Sequence, residues 1–234
     1  MLAAGAAAAA CGGRAGGEHD GTRVAPPDTA APAGGAAVSA AAAKRTIVFV
    51  GTSLTAGYGL DPDSSFTSII QRRIDSLGLS YDVVNAGVSG ETSAGARRRI
   101  GWVMRQRADI VVLEIGANDG LRALNVDSLR SNLQQIIDTV RATHPSARLV
   151  IVGMEAPPNL GARYTSAFRT VYPEIARKNH AVLLPFLLAG VGGVDSLNQG
   201  DGIHPNARGE RIVAQTVWRT LAPLLSGGQR RGPV

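Results

Sequence analysis

Short runs of β-branched and apolar residues recur along the chain at Thr46–Val50, Tyr81–Asn85, Ile110–Glu114, Leu149–Gly153 and Ala181–Leu184. Each is followed by a turn containing Gly, Asn or Pro, so the pattern predicts five buried strands. Between them the apolar positions change to a helical period, over Ser65–Leu79, Thr92–Arg107, Val126–Thr143 and Ala162–Lys178, with a last stretch at Asn206–Leu225. In Val126–Thr143, for example, Leu129, Leu133, Ile136, Ile137 and Val140 share one face. Regular alternation of strand and helix predicts an α/β fold, a three-layer α/β/α sandwich around a five-stranded parallel sheet, because parallel strands need long right-handed crossovers. In such sheets ligands bind at the carboxyl ends of the strands, and the turns that follow the strands are where chemistry is sought.

Composition divides the chain before it says anything about function. Residues 1–43 are rich in Ala, Gly, Pro and Thr and read as a disordered, signal-like tether. Residues 44–227 form the expected folded domain, and 228–234 a disordered tail. No apolar run approaches the roughly 20 residues of a membrane-spanning helix. The formal charge of +6 raises the question of nucleic acid, but Lys and Arg are interspersed with Asp and Glu and aromatic residues are few, so a nucleic-acid partner is not expected. Cys11 is the only cysteine, which excludes a disulfide framework and a thiolate metal site. His19, His144 and His180 have no second ligand at metal spacing, and neither metal nor organic cofactor is expected.

Four of the turns carry candidate chemistry. After the first strand, Gly51-Thr52-Ser53-Leu54 presents a serine at the strand end in a Gly-rich turn. Ahead of the final helix, Asp201-Gly202-Ile203-His204-Pro205-Asn206 puts a carboxylate three residues from an imidazole. That spacing lets Asp201 orient one ring nitrogen of His204 while the other takes a serine proton. Gly87, in the turn after the second strand, and Asn118, in the turn after the third, offer N–H donors, and the Ser53 backbone N–H is a further one. Such donors suit a developing oxyanion in acyl transfer.

These residues resemble the SGNH (GDSL-type) hydrolase superfamily, with its Ser, Gly, Asn and His found in order as Ser53, Gly87, Asn118 and His204. The likeness runs from about Ile47 to Leu225, and is similar to the bacterial periplasmic thioesterase/lysophospholipase (arylesterase) subgroup through GTSLTAGYGL, NAGVSGETSAG, GANDGLR and DGIHPN. It implies a flavodoxin-like sheet, no cofactor, and cleavage of a small-molecule or lipid acyl ester or thioester through an acyl-enzyme on Ser53. It also implies substrate contacts from Asp119, Gly120 and Leu121, and from Pro158 and Asn159 in the loop after the fourth strand. One departure stands out: the family usually has Asp before the nucleophile, and Thr52 holds that place here. A threonine hydroxyl still bonds locally but brings no charge, which puts the rigidity of the turn at stake.

The segment Ala8-Ala9-Ala10-Cys11 resembles a bacterial lipobox, with Ala in place of Leu and no basic segment before it. An exported, periplasmic or envelope-anchored protein carrying lipid on Cys11 is therefore expected, and an unmodified Met1 on the native protein would end that expectation. Two other functions fit the same residues: a carbohydrate acetylesterase, since one triad serves many acyl groups, and a catalytically silent envelope binding module. Neither acyl length nor oligomeric state is written in the pattern.

Overall fold

The computed structural model describes residues 43–226; Cys11, the tether and the tail lie outside the described residues. Five strands, β1 (Arg45–Gly51), β2 (Tyr81–Gly87), β3 (Ile110–Glu114), β4 (Arg148–Val152) and β5 (Val182–Leu184), form one sheet in the order β2-β1-β3-β4-β5. Every pairing is parallel. β1 and β3 are buried nearly end to end, as expected of central strands whose two faces are both covered.

Seven α-helices accompany the sheet among the described residues: α1 (Ser53–Ala56), α2 (Phe66–Ser76), α3 (Ser93–Val103), α4 (Ala117–Leu121), α5 (Val126–Thr143), α6 (Ala162–Lys178) and α7 (Ala207–Ser226). α2 packs on α7, while α3, α5 and α6 lie side by side, which gives the two outer layers of the sandwich. The apolar stripe of α5 explains its place: Leu129, Leu133, Ile136, Ile137 and Val140 are all buried, and Asn125 caps its start by accepting the Ser128 N–H at 2.9 Å.

The expected strands and long helices are present, with ends displaced by a few residues. α2 stops at Ser76 and α3 at Val103, short of the expected Leu79 and Arg107. The helices α1 and α4 were not foreseen; each occupies a turn that the sequence marks only as Gly-containing. α7 runs one residue later than the expected Asn206–Leu225 at each end, with Asn206 Oδ1 accepting the N–H groups of Arg208 and Gly209 at 3.0 and 3.1 Å.

Because the chain steps from β1 to β2 on one side and returns to β3 on the other, the sheet reverses its winding between β1 and β3. The carboxyl ends of those two strands border the crevice where open α/β sheets bind ligands. Gly51 and Glu114, their last residues, are in register there.

Candidate active site

Ser53 is the first residue of α1 and is 9% exposed. Its Oγ lies 2.8 Å from His204 Nε2, a contact between residues 151 positions apart in the chain. On the far side of the ring, Nδ1 is 2.6 Å from Asp201 Oδ2. The other oxygen, Oδ1, accepts the backbone N–H groups of Ile203 and His204 at 2.9 and 3.0 Å. The Asp201 carboxyl is held down at about 2, first by the His204 N–H, then by the His204 ring and the Ile203 N–H. An ionised carboxylate at Nδ1 holds the tautomer in which Nε2 faces the hydroxyl as an acceptor, the arrangement a general base requires.

The base is steadied by its neighbours. Tyr58 lays its ring 4.8 Å from that of His204 at an angle of 44°. Gln199 joins the two, its Nε2 donating to the carbonyls of Tyr58 and Pro205 at 2.8 and 3.0 Å and its N–H to the His204 carbonyl at 2.7 Å.

A cavity of about 460 Å³ opens beside Ser53 and His204. Leu54, Leu121, Met154, Leu188 and Ile203 give it an apolar wall, while Ser89, Gly90 and Asn118 bring polar groups to it. Asn118 is anchored through one hydrogen bond, its Nδ2 donating to the Glu91 carbonyl at 3.0 Å, and a second amide hydrogen is left to donate.

Several expected contacts take other positions. Gly87 does not face the cavity: its N–H donates to Asn85 Oδ1 at 3.0 Å, and a Cβ there would meet Ala56 N at 2.4 Å. It is small because the nucleophile turn packs on it. Gly90, three residues on, is the glycine of that loop that lines the cavity, with its carbonyl accepting from Arg122 at 3.0 Å. Asp119 is buried and turned to the start of α3, where it accepts from the Ser93 N–H and hydroxyl at 2.8 and 2.6 Å. Gly120 packs under Phe168, and Pro158 and Asn159 are exposed outside the cavity. Of the five expected substrate contacts only Leu121 lines it.

Residues the pattern did not single out complete the wall: Met154 and Glu155 after β4, and Leu188 in the loop beyond β5. Their signal was positional only, since each follows a strand end.

A family model described as the GDSL-like Lipase/Acylhydrolase family matches residues 49–212. Over 182 residues, 77% of this chain and 90% of the relative, the sequence is 40% identical to Esterase TesA of Pseudomonas aeruginosa. It is 33% identical to Thioesterase 1/protease 1/lysophospholipase L1 of Escherichia coli strain K12, over 77% of this chain and 85% of that one. The fold superposes on the crystal structure of TesA with a TM-score of 0.74 at 40% identity, covering 77% of this chain and 100% of that one. It superposes equally, at 0.74, on the psychrotrophic esterase EstA from Pseudoalteromonas, at 30% identity over 78% of this chain and 100% of EstA.

Proposed function

The chain belongs to the GDSL-like lipase/acylhydrolase family, and from that premise we propose that it hydrolyses carboxylic esters and thioesters by way of an acyl-enzyme on Ser53. The single observation that carries the assignment of roles is the unbroken chain of hydrogen bonds Ser53 Oγ, His204 Nε2, His204 Nδ1, Asp201 Oδ2.

In this mechanism the Ser53 Oγ attacks the carbonyl carbon and passes its proton to His204 Nε2, and the carbonyl oxygen takes the negative charge. Asp201 stabilises the imidazolium that forms. The oxyanion is met by the Ser53 N–H and the free Asn118 amide hydrogen, with Gly90 rather than Gly87 as the glycine donor. As the intermediate collapses, the imidazolium gives its proton to the departing alkoxide or thiolate, leaving the acyl group on Ser53. Water then repeats the cycle: His204 takes its proton, the hydroxide adds to the acyl carbon, and the proton returns to Ser53 as the acid leaves. Donors fixed in advance are effective because they need no reorganisation when charge develops.

The apolar wall of Leu54, Leu121, Met154, Leu188 and Ile203 suits an acyl chain, so lipid acyl esters, lysophospholipids and aryl esters are the proposed substrate classes. We also propose export to the envelope with a lipid on Cys11, on the strength of the lipobox-like Ala8–Cys11 sequence.

Ser53→Ala tests the assignment. Hydrolysis of nitrophenyl esters and acyl thioesters is expected to fall by about 10⁴-fold or more, with melting unchanged. A folded variant that keeps its rate would remove Ser53 as nucleophile.

A further inference from the structure

β3 ends on a charge that the residues before it do not foreshadow. Ile110–Leu113 are apolar and buried, and Glu114 after them is as buried as they are, 1% exposed. A carboxylate in such a place is costly unless its oxygens are occupied. Those of Glu114 are. Oε2 accepts the Thr52 N–H at 2.8 Å, the Thr55 hydroxyl at 2.9 Å and the Thr55 N–H at 3.3 Å. The Thr52 hydroxyl donates between both oxygens, 3.1 Å from each. Burial raises the Glu114 pKa, and these four donors oppose the rise.

The four donors belong to two residues that flank Ser53 and lie in the same turn. Thr52 occupies the cap position of α1, yet its side chain caps nothing in that helix. The Thr55 N–H is the donor that a cap side chain ordinarily satisfies, three residues into the turn. Here the acceptor arrives from the adjacent strand instead.

We propose that Glu114 is a positioning residue of this hydrolase: from the end of β3 it caps the Ser53 turn, holding the Ser53 Oγ against His204 Nε2. The role rests on the assignment of Ser53 as nucleophile. It also accounts for Thr52 where the family usually carries Asp. The cap is divided, the carboxylate coming from β3 and the hydroxyl at position 52 donating to it.

Glu114→Gln preserves the shape and removes the charge. Because Glu114 does not line the cavity, KM for a short nitrophenyl ester should stay within about twofold, while kcat falls by about 10- to 100-fold as the hydroxyl loses its alignment. Adding Thr52→Asp to Glu114→Gln returns a carboxylate to the cap position, and should recover at least about tenfold in kcat. A merely structural Glu114 would lower the melting temperature and leave kcat intact below it. Wild-type kcat in a folded Glu114→Gln, or a double variant that regains stability without kcat, would overturn the proposal. If Glu114→Gln does not fold, Thr55→Val removes one donor and keeps the carboxylate; a kcat loss of about threefold or more with KM held is expected, and an unchanged kcat overturns it. Failure of the underlying assignment looks different, since Ser53→Ala would then be as active as wild type.

Discussion

Ser53 stands on a turn whose polar groups are buried among the ends of β1 and β3, whereas Asp201 and His204 stand on a loop that supplies its own hydrogen bonds. The first corner joins residues some 60 positions apart, Thr52 and Thr55 on the turn after β1 and Glu114 at the end of the adjacent β3. In the second, the bonds of the Asp201 carboxylate close within residues 201–204, with Gln199 tying the loop to Tyr58, and the Asp201 side chain is 38% exposed. The nucleophile therefore owes its position to the same contacts that make the fold, and the base owes its position to local geometry. Damage to the two corners should separate accordingly: activity with stability at one, activity alone at the other.

The largest effect that would break this contrast belongs to the base loop. Asp201→Asn keeps the loop's shape but favours the wrong tautomer of His204, and kcat should fall by about 10²- to 10⁴-fold. Stability should move by no more than about 0.5–1 kcal/mol, because the carboxylate is solvated. The Asp201 pKa is depressed to about 2, so its contribution to stability is complete above the ordinary carboxylate range and is lost only as pH falls through about 2. Thermal melts at neutral pH beside steady-state kinetics decide it; a variant that loses activity and also melts many degrees early would show that the loop is part of the fold's framework.

Glu210 sharpens the contrast from the other side. It is 2% exposed, accepts the Phe66 N–H at the start of α2, and has its carboxyl pushed up to about 8, chiefly by burial and further by the nearby Glu114. The folded state therefore holds a proton that the unfolded chain releases near pH 4.5. Stability from this group is complete below that value and declines as pH rises through about 8, on the order of several kcal/mol across the window. The wild-type melting temperature should fall between about pH 5 and pH 9, and Glu210→Gln, which still accepts from Phe66, should flatten that fall. Equal slopes in the two proteins would mean that Glu210 is not the group that titrates.

What the sequence reveals follows the same division. The strands were readable because fully buried parallel strands write themselves as apolar β-branched runs, and Asp201 with His204 was readable because three residues of spacing is a local signal. Glu114 was not, since a charge at a strand end ordinarily reads as the place where the chain meets water. Its inward direction shows only in the bonds it accepts from Thr52 and Thr55, beside Gly51 with which it is in register. Glu210 is hidden in the same way, one charge among several on an amphipathic helix. Asp119 and Leu121 lie on one short helix, yet one turns to α3 and the other to the cavity. Direction within a turn is a property of backbone dihedrals, and periodicity carries no record of it.

Gly87 and Gly90 give the smallest and most pointed comparison, because they share one loop and differ in what each faces. At Gly87 an added Cβ would sit 2.4 Å from Ala56 N and 2.9 Å from the Thr52 carbonyl, both backbone atoms of the nucleophile turn, so the turn itself must move. Gly87→Ala should therefore cost about 1–3 kcal/mol of stability and about 100-fold in kcat together. At Gly90 the nearest atom to an added Cβ is the Arg122 guanidinium at 3.9 Å, so there is room, and the cost is that of a positive φ of 76°. Gly90→Ala should lower stability by only about 1 kcal/mol and kcat by about tenfold or less, through strain in a loop that borders the substrate. Melting curves separate the two. A Gly87→Ala variant that keeps full stability while losing activity would mean that the glycine serves the substrate after all, and that the nucleophile turn can yield without loosening the sheet beneath it.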